Sequence, residues 1–314
     1  MGSAMISLVL AARPLGIDRD FIEYEKFYDA GDEYEKFYGA GDEPSRMVQS
    51  GLGLFWRSLA NFEVPFYEAL VLTTFIALTP KLLILARGRH WIAHIIAYFL
   101  IFLPVLEATQ IRLALSLGFA LPAIQLTICN GRATSSALLL GALSCWIHTS
   151  ALVLVLPILL WGQASRYPTI SCSTAILFTA MLVATEFEWI VTVLHPQSAA
   201  LLQTADSQMF NPIAIRTLSV LLLTAIALAN LYRMPDSFRP LPIVTLCCCE
   251  FAISVASYPS VAGRVFELGM LMPLFWIPAL PNRSRQASYA VYLLLGLFIS
   301  SQILTDPTFF SQTR

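Results

Sequence analysis

The stretch SSALLLGALSCWIHTSALVLVLPILLW, Ser135 to Trp161, holds no carboxylate, lysine or arginine, and a single histidine, His148. About 20 apolar residues carry an α-helix across the hydrocarbon core of a bilayer. This run exceeds one span and falls short of two. No polar face repeats at helical spacing along it, so it has no side to offer water. Two readings remain. One is a broken or re-entrant hairpin with His148 near its tip. The other is a single helix that carries Arg166 to the outer side.

The rest of the chain follows the same pattern. Of 314 residues, 57% are hydrophobic and 12% charged, whereas soluble domains carry about 25% charged residues. That leaves too little polar surface to cover a globule in water. The expected fold is an all-α, polytopic transmembrane bundle of about 9–10 membrane segments, formed as a single integral membrane domain over 1–314. Beside 135–161, apolar segments fall at 66–86, 91–106, 113–129, 169–194, 212–232, 241–258, 265–281 and 287–304. Residues 4–12 are apolar but too short to span.

Basic residues in the short breaks orient the bundle. Arg87, Arg89, Arg132, Arg166, Arg233, Arg239, Arg283 and Arg285 read as the cytoplasmic side of an inner, cytoplasmic-type membrane. The opposite breaks face outward, among them the acidic stretch 13–63 near the N-terminus. That stretch contains a tandem duplication, Glu23–Asp32 repeated as Glu33–Asp42, which differs only at Asp29 against Gly39. The net charge of -1 says nothing about nucleic acid, and no nucleic-acid partner is expected. All six cysteines lie in apolar runs without a C-x-x-C pair, so no metal site or disulfide framework is expected. Phosphate loops, nucleophile elbows and HExxH are missing from the sequence, which argues against nucleotide hydrolysis and proteolysis.

Ionisable groups within a membrane are costly, so those retained are functional candidates. They are Glu107, Arg112, His148, Glu186, Glu188, Arg216, Glu250, Arg264 and Glu267. Glu107 and Arg112 are five residues apart and share a helical face poorly, which leaves Arg112 available to an anion. Arg264 and Glu267 are three apart: they form an internal ion pair, or Arg264 turns its planar fork to a phosphate. A neutral imidazole at His148 can take a proton from a hydroxyl, or it can be a structural histidine bonded to a carbonyl. Glu186, Glu188 and Arg216 read as interfacial groups.

Four motifs recur in a familiar order: Arg13-x-x-Gly16-x-Asp18 with Tyr24; Glu107-x-x-Gln110-Ile-Arg112-x-x-Leu115; Ile147-His148-x-Ser150-Ala151-Leu152; and Gly263-Arg264-x-x-Glu267. Over nearly the whole chain this order resembles the EpsG family of exopolysaccharide and O-antigen polymerases. The short first apolar segment and the duplicated block depart from the pattern. The resemblance implies a glycosyltransferase that works at the external face on undecaprenyl-diphosphate-linked oligosaccharides, within membrane lipid, without cofactor or metal. It also implies a repeat-unit flippase and a chain-length regulator as partners. In such an enzyme His148 is the expected base, with Glu107 and Glu267 orienting. Arg112 and Arg264 are expected on the diphosphate, and Arg13, Asp18 and Tyr24 on substrate. A flippase of lipid-linked oligosaccharide, an O-antigen ligase and a subunit without chemistry stay open as alternatives.

Overall fold

A computed structural model describes residues 24, 25, 28, 51–87, 90–103, 110–148, 151–154, 161–169, 213–256 and 259–305. Among them the chain forms helices and no strand. In order these are α1 (Gly51–Asn61), α2 (Phe66–Ala86), α3 (Trp91–Phe102), α4 (Ile111–Asn130), α5 (Ser135–Ile147), α6 (Trp161–Arg166), α7 (Ile215–Ala229), α8 (Pro240–Ser254), α9 (Pro259–Leu271), α10 (Pro273–Trp276) and α11 (Asn282–Thr305). The helices α2 and α4, and the run Asp236–Ser254 that ends in α8, are long and apolar enough to cross a bilayer. Helices α3, α5 and α7 are apolar but shorter. The expected all-α membrane bundle is what the chain builds. The apolar segment 4–12, most of 169–194 and the second copy of the duplication lie outside the described residues.

The helices group into two compact units. The first comprises 1–125, 135–155 and 296–314; the second comprises 126–134 and 156–295. Lipid is as apolar as leucine, so helices in a membrane gain little from hiding leucines from it. They associate through close contact at small residues and through hydrogen bonds. Both devices recur in each unit. In the first, Gly118 of α4 lies against α2, where a Cβ would stand 3.0 Å from the Ala77 backbone. The end of α11 meets α3 in the same way. A Cβ on Gly296 would sit 2.9 Å from that of Leu100, and Ser300 donates to the Leu100 carbonyl at 2.7 Å. In the second unit a Cβ on Gly269 of α9 would come within 2.6 Å of Cys248 on α8. There too Trp276 donates to Thr245 at 3.2 Å and Tyr292 to the Met270 carbonyl at 2.7 Å.

Helix boundaries follow proline chemistry. Pro65, extended at φ -62 and ψ 151, precedes α2, and Glu68 in its first turn faces the positive end of the helix dipole. Pro80 and Pro122 sit inside α2 and α4, which continue through them; neighbouring groups make this tolerable in a membrane helix. Gly131, at φ 63, takes the left-handed conformation that ends α4. The apolar segment expected at 265–281 is drawn differently. Pro259 opens α9 with its φ already helical, so Arg264 stands inside a helix and not in the preceding loop. Pro273 has no N–H to extend that ladder, and a separate short helix begins there.

The first unit is centred on an aromatic cluster. The Trp56 ring is buried and meets Tyr24, Tyr28 and Phe66 edge-on, with centroids 5.5, 6.0 and 5.8 Å away. Edge-to-face pairs each add about 0.5–1.5 kcal/mol to what area burial contributes. The indole N–H donates to the Thr73 hydroxyl at 2.8 Å, which itself donates to the Ala69 carbonyl at 2.7 Å. Tyr28 donates to the Val64 carbonyl at 2.6 Å. Thus the first copy of the duplicated block contributes two ring anchors. Truncating Trp56 to alanine should cost about 3–5 kcal/mol. Thr73→Val strands a buried N–H and should cost about 1–3 kcal/mol. Leu139→Ala, 71% exposed on α5, should stay within about 0.5 kcal/mol. Thermal unfolding in lipid nanodiscs measures all three.

Candidate functional site

Helices α4 and α5 are joined in the first unit by two serines. Ser116 donates to the Ser144 carbonyl at 2.9 Å, and Ser144 returns the bond to the Ser116 carbonyl at 2.9 Å. The two hydroxyl oxygens are also 2.9 Å apart, and both side chains are fully buried. Serine is small enough to let the backbones approach and polar enough to bond across the gap.

The clamp sets the position of two candidate residues. Arg112 precedes Ser116 by four residues on α4, and His148 follows Ser144 by four at the end of α5. Residues four apart lie one above the other on a helix. Each candidate therefore stands one turn beyond the clamp. They stand at the same end of the pair, because their neighbours Ile111 and Ile147 both enter the buried cluster of Tyr24, Trp56 and Phe66.

The local geometry at each residue differs. Arg112 is half-buried and makes no side-chain hydrogen bond or ion pair among the described residues. A guanidinium so placed keeps its five donors for an anion, which it can grip bidentately. His148 is half-buried where α5 stops. Its N–H bonds to the Ser144 carbonyl and its own carbonyl accepts from Ala151, each at 3.0 Å. Helix resumes at Ala151–Leu154. The interruption expected in the run 135–161 therefore falls at His148. The Tyr24 ring is only 4% exposed and packs on Trp56, so it sits in the core and not on a water-facing surface.

The second unit holds Arg264 and Glu267, both on α9. Arg264 is exposed and Glu267 half-buried, and no ion pair joins them among the described residues. The internal ion-pair reading of that motif is not what the helix shows. Glu250 is half-buried on α8, with its backbone carbonyl accepting from Ser254 at 2.7 Å. Arg216 is exposed at the start of α7. Arg13, Asp18, Glu107, Glu186 and Glu188 lie outside the described residues. Among the described residues no group of three His, Cys, Asp or Glu is placed to hold a metal.

Two residues of consequence carried little signal in the sequence. Ser116 and Ser144 look like any serine in an apolar run; only their spacing of four from Arg112 and His148 sets them apart. Lys81 is fully buried on α2, beside Pro80, and engaged within the protein. On the same helical face, the Leu85 carbonyl bonds to buried His94 of α3. A lysine inside an apolar segment is a signal by itself.

Because Arg264 is exposed and unpaired among the described residues, Arg264→Gln should change stability by no more than about 0.5 kcal/mol. Any loss of product in that variant, at wild-type abundance and thermal stability, therefore reports function and not folding.

Neither a curated protein nor a solved structure matches the chain. The family model of the EpsG family matches residues 3–311. With an all-α set of apolar helices and a match over nearly its whole length, the protein belongs to the EpsG family of exopolysaccharide and O-antigen polymerase-like membrane proteins.

Proposed function

We propose that the protein is a glycosyltransferase that polymerises oligosaccharide repeat units carried on undecaprenyl diphosphate, at the external face of the inner membrane. The observation that carries this reading is the placement of Arg112 and His148 at the same end of the clamped α4–α5 pair. The reaction requires two services. A base must take the proton of the acceptor hydroxyl as its oxygen bonds to the anomeric carbon. Positive charge must receive the lipid diphosphate as the bond from that carbon to the phosphate oxygen breaks. An imidazole and a guanidinium uncommitted among the described residues supply these two services.

In this reading His148 accepts the proton. Arg112 holds the departing diphosphate with parallel N–H donors, a geometry a lysine ammonium does not reproduce. On α9, Arg264 offers a guanidinium for phosphate, and Glu267 serves as an orienting group of the site. Glu107 orients the Arg112 region, while Arg13 and Asp18 serve the sugar side. Two sugars joined through a lipid-diphosphate leaving group need no nucleotide. A flippase delivering repeat units to the external face and a regulator of chain length are the partners this reaction calls for. The product is a surface polysaccharide: O-antigen, capsule or free exopolysaccharide.

Purified protein in nanodiscs, supplied with lipid-diphosphate repeat units, tests the reading. His148→Ala should leave one-unit glycan on the carrier, and Arg112→Lys should slow chain growth by about 10- to 100-fold. Long chains at the normal rate from His148→Ala would remove that residue from the mechanism. A deletion strain that traps repeat units on the cytoplasmic face would identify a flippase instead, and one that accumulates long unattached chains a ligase.

A further inference from the structure

We propose that Ser116 and Ser144 are positioning residues for the Arg112–His148 pair: their reciprocal hydrogen bonds set the register of α4 on α5, and so the distance between guanidinium and imidazole. The proposal rests on the reading given under Proposed function and adds to it the device that aligns the two groups.

The geometry makes the clamp more than packing. The Ser144 carbonyl is shared: it accepts the Ser116 hydroxyl at 2.9 Å and the His148 N–H at 3.0 Å. The backbone of His148 and the side chain from α4 therefore converge on one oxygen. On α4 the Ser116 carbonyl accepts the Ser144 hydroxyl at 2.9 Å, one turn from Arg112. The two bonds run in opposite directions across the interface. A slide of one helix along the other lengthens both. No water reaches either serine to replace them, since both are fully buried.

Apolar contacts alone do not fix such a register. Leucine rows tolerate small shifts with little change in buried area, whereas a hydrogen bond weakens steeply with distance and angle. Gly118 against the Ala77 backbone holds α4 on α2, but that contact acts on a different face from the one toward α5. A misplacement of about 1 Å between catalytic groups can cost a hundredfold in rate. A register bond one turn from each group is therefore well placed to protect the rate of the chemical step.

The test uses the full chain in nanodiscs and has two arms. In the first, initial rates of polymerisation are measured for Ser116→Ala, Ser144→Ala and the double variant, each also in an Arg112→Lys background, which keeps a measurable rate. The expected result is a fall in kcat/KM of about tenfold for each single variant. The double variant should be little worse than either single, and the loss should shrink when Arg112 is already lysine. An unchanged kcat/KM, or the same fold loss in the Arg112→Lys background, would overturn the proposal. In the second arm, Arg112→Cys and His148→Cys are introduced together and joined by a short bis-maleimide, with the linked peptides identified by mass spectrometry. Adding Ser116→Ala and Ser144→Ala should cut cross-linking severalfold; unchanged cross-linking would also overturn it. This arm needs no activity. If His148→Ala polymerises normally, the functional reading fails and the cross-link still decides whether the serines set the register. Should Ser144→Ala fold poorly, Ser116→Ala alone removes one donor while leaving the α5 backbone intact.

Discussion

Two hydroxyl-to-carbonyl bonds between Ser116 and Ser144 hold the α4–α5 pair, and the candidate chemistry depends on that contact. In water such bonds contribute modestly, because solvent competes for each partner. Where water is excluded, the alternative to the bond is a bare hydroxyl and a bare carbonyl, so separation is costly. The serines fix direction as well as distance. An arginine and a histidine, each one turn away, inherit that precision.

The rest of the first unit reinforces the same end of the pair. Trp56 gathers Tyr24, Tyr28 and Phe66 around it, and Ile111 and Ile147 complete the cluster beside Arg112 and His148. The rings from the first copy of the duplicated block thus pack at the end where the candidate groups stand. Elsewhere buried hydroxyls return to the carbonyl four residues earlier, as Thr74, Thr224 and Thr245 do. In this way helices keep polar groups in an apolar interior without leaving donors unmet. Glycines at 118, 269 and 296 let neighbouring helices approach closely.

Much of this was legible before any coordinates. Long apolar runs with arginines in the breaks announce helices in a membrane, since lipid constrains sequence more simply than a water-facing surface does. The interruption at His148 was legible too, because the run around it is too long for one span and too short for two. The limits of α9 were not: hydropathy weighs side chains, whereas the start and end of that helix follow from the backbones of Pro259 and Pro273. Nor did spacing reveal the partners of the charged residues. Arg264 and Glu267 stand at ion-pair spacing and do not pair, while Arg112 owes its placement to a serine pair on two helices. Contacts across helices depend on register, and a single sequence does not state register. Tyr24 illustrates the same limit: an aromatic in an acidic loop suggests a sugar platform, yet its ring fills the core.

The central claim, that Arg112 and His148 act on the two ends of one reacting bond, is tested most directly by a cryo-EM structure of the protein with a lipid-diphosphate repeat unit bound. The account predicts diphosphate density within about 3 Å of the Arg112 guanidinium, with His148 facing the sugar carbon that bears it. Diphosphate bound well away from α4, with His148 turned into the protein, would contradict it.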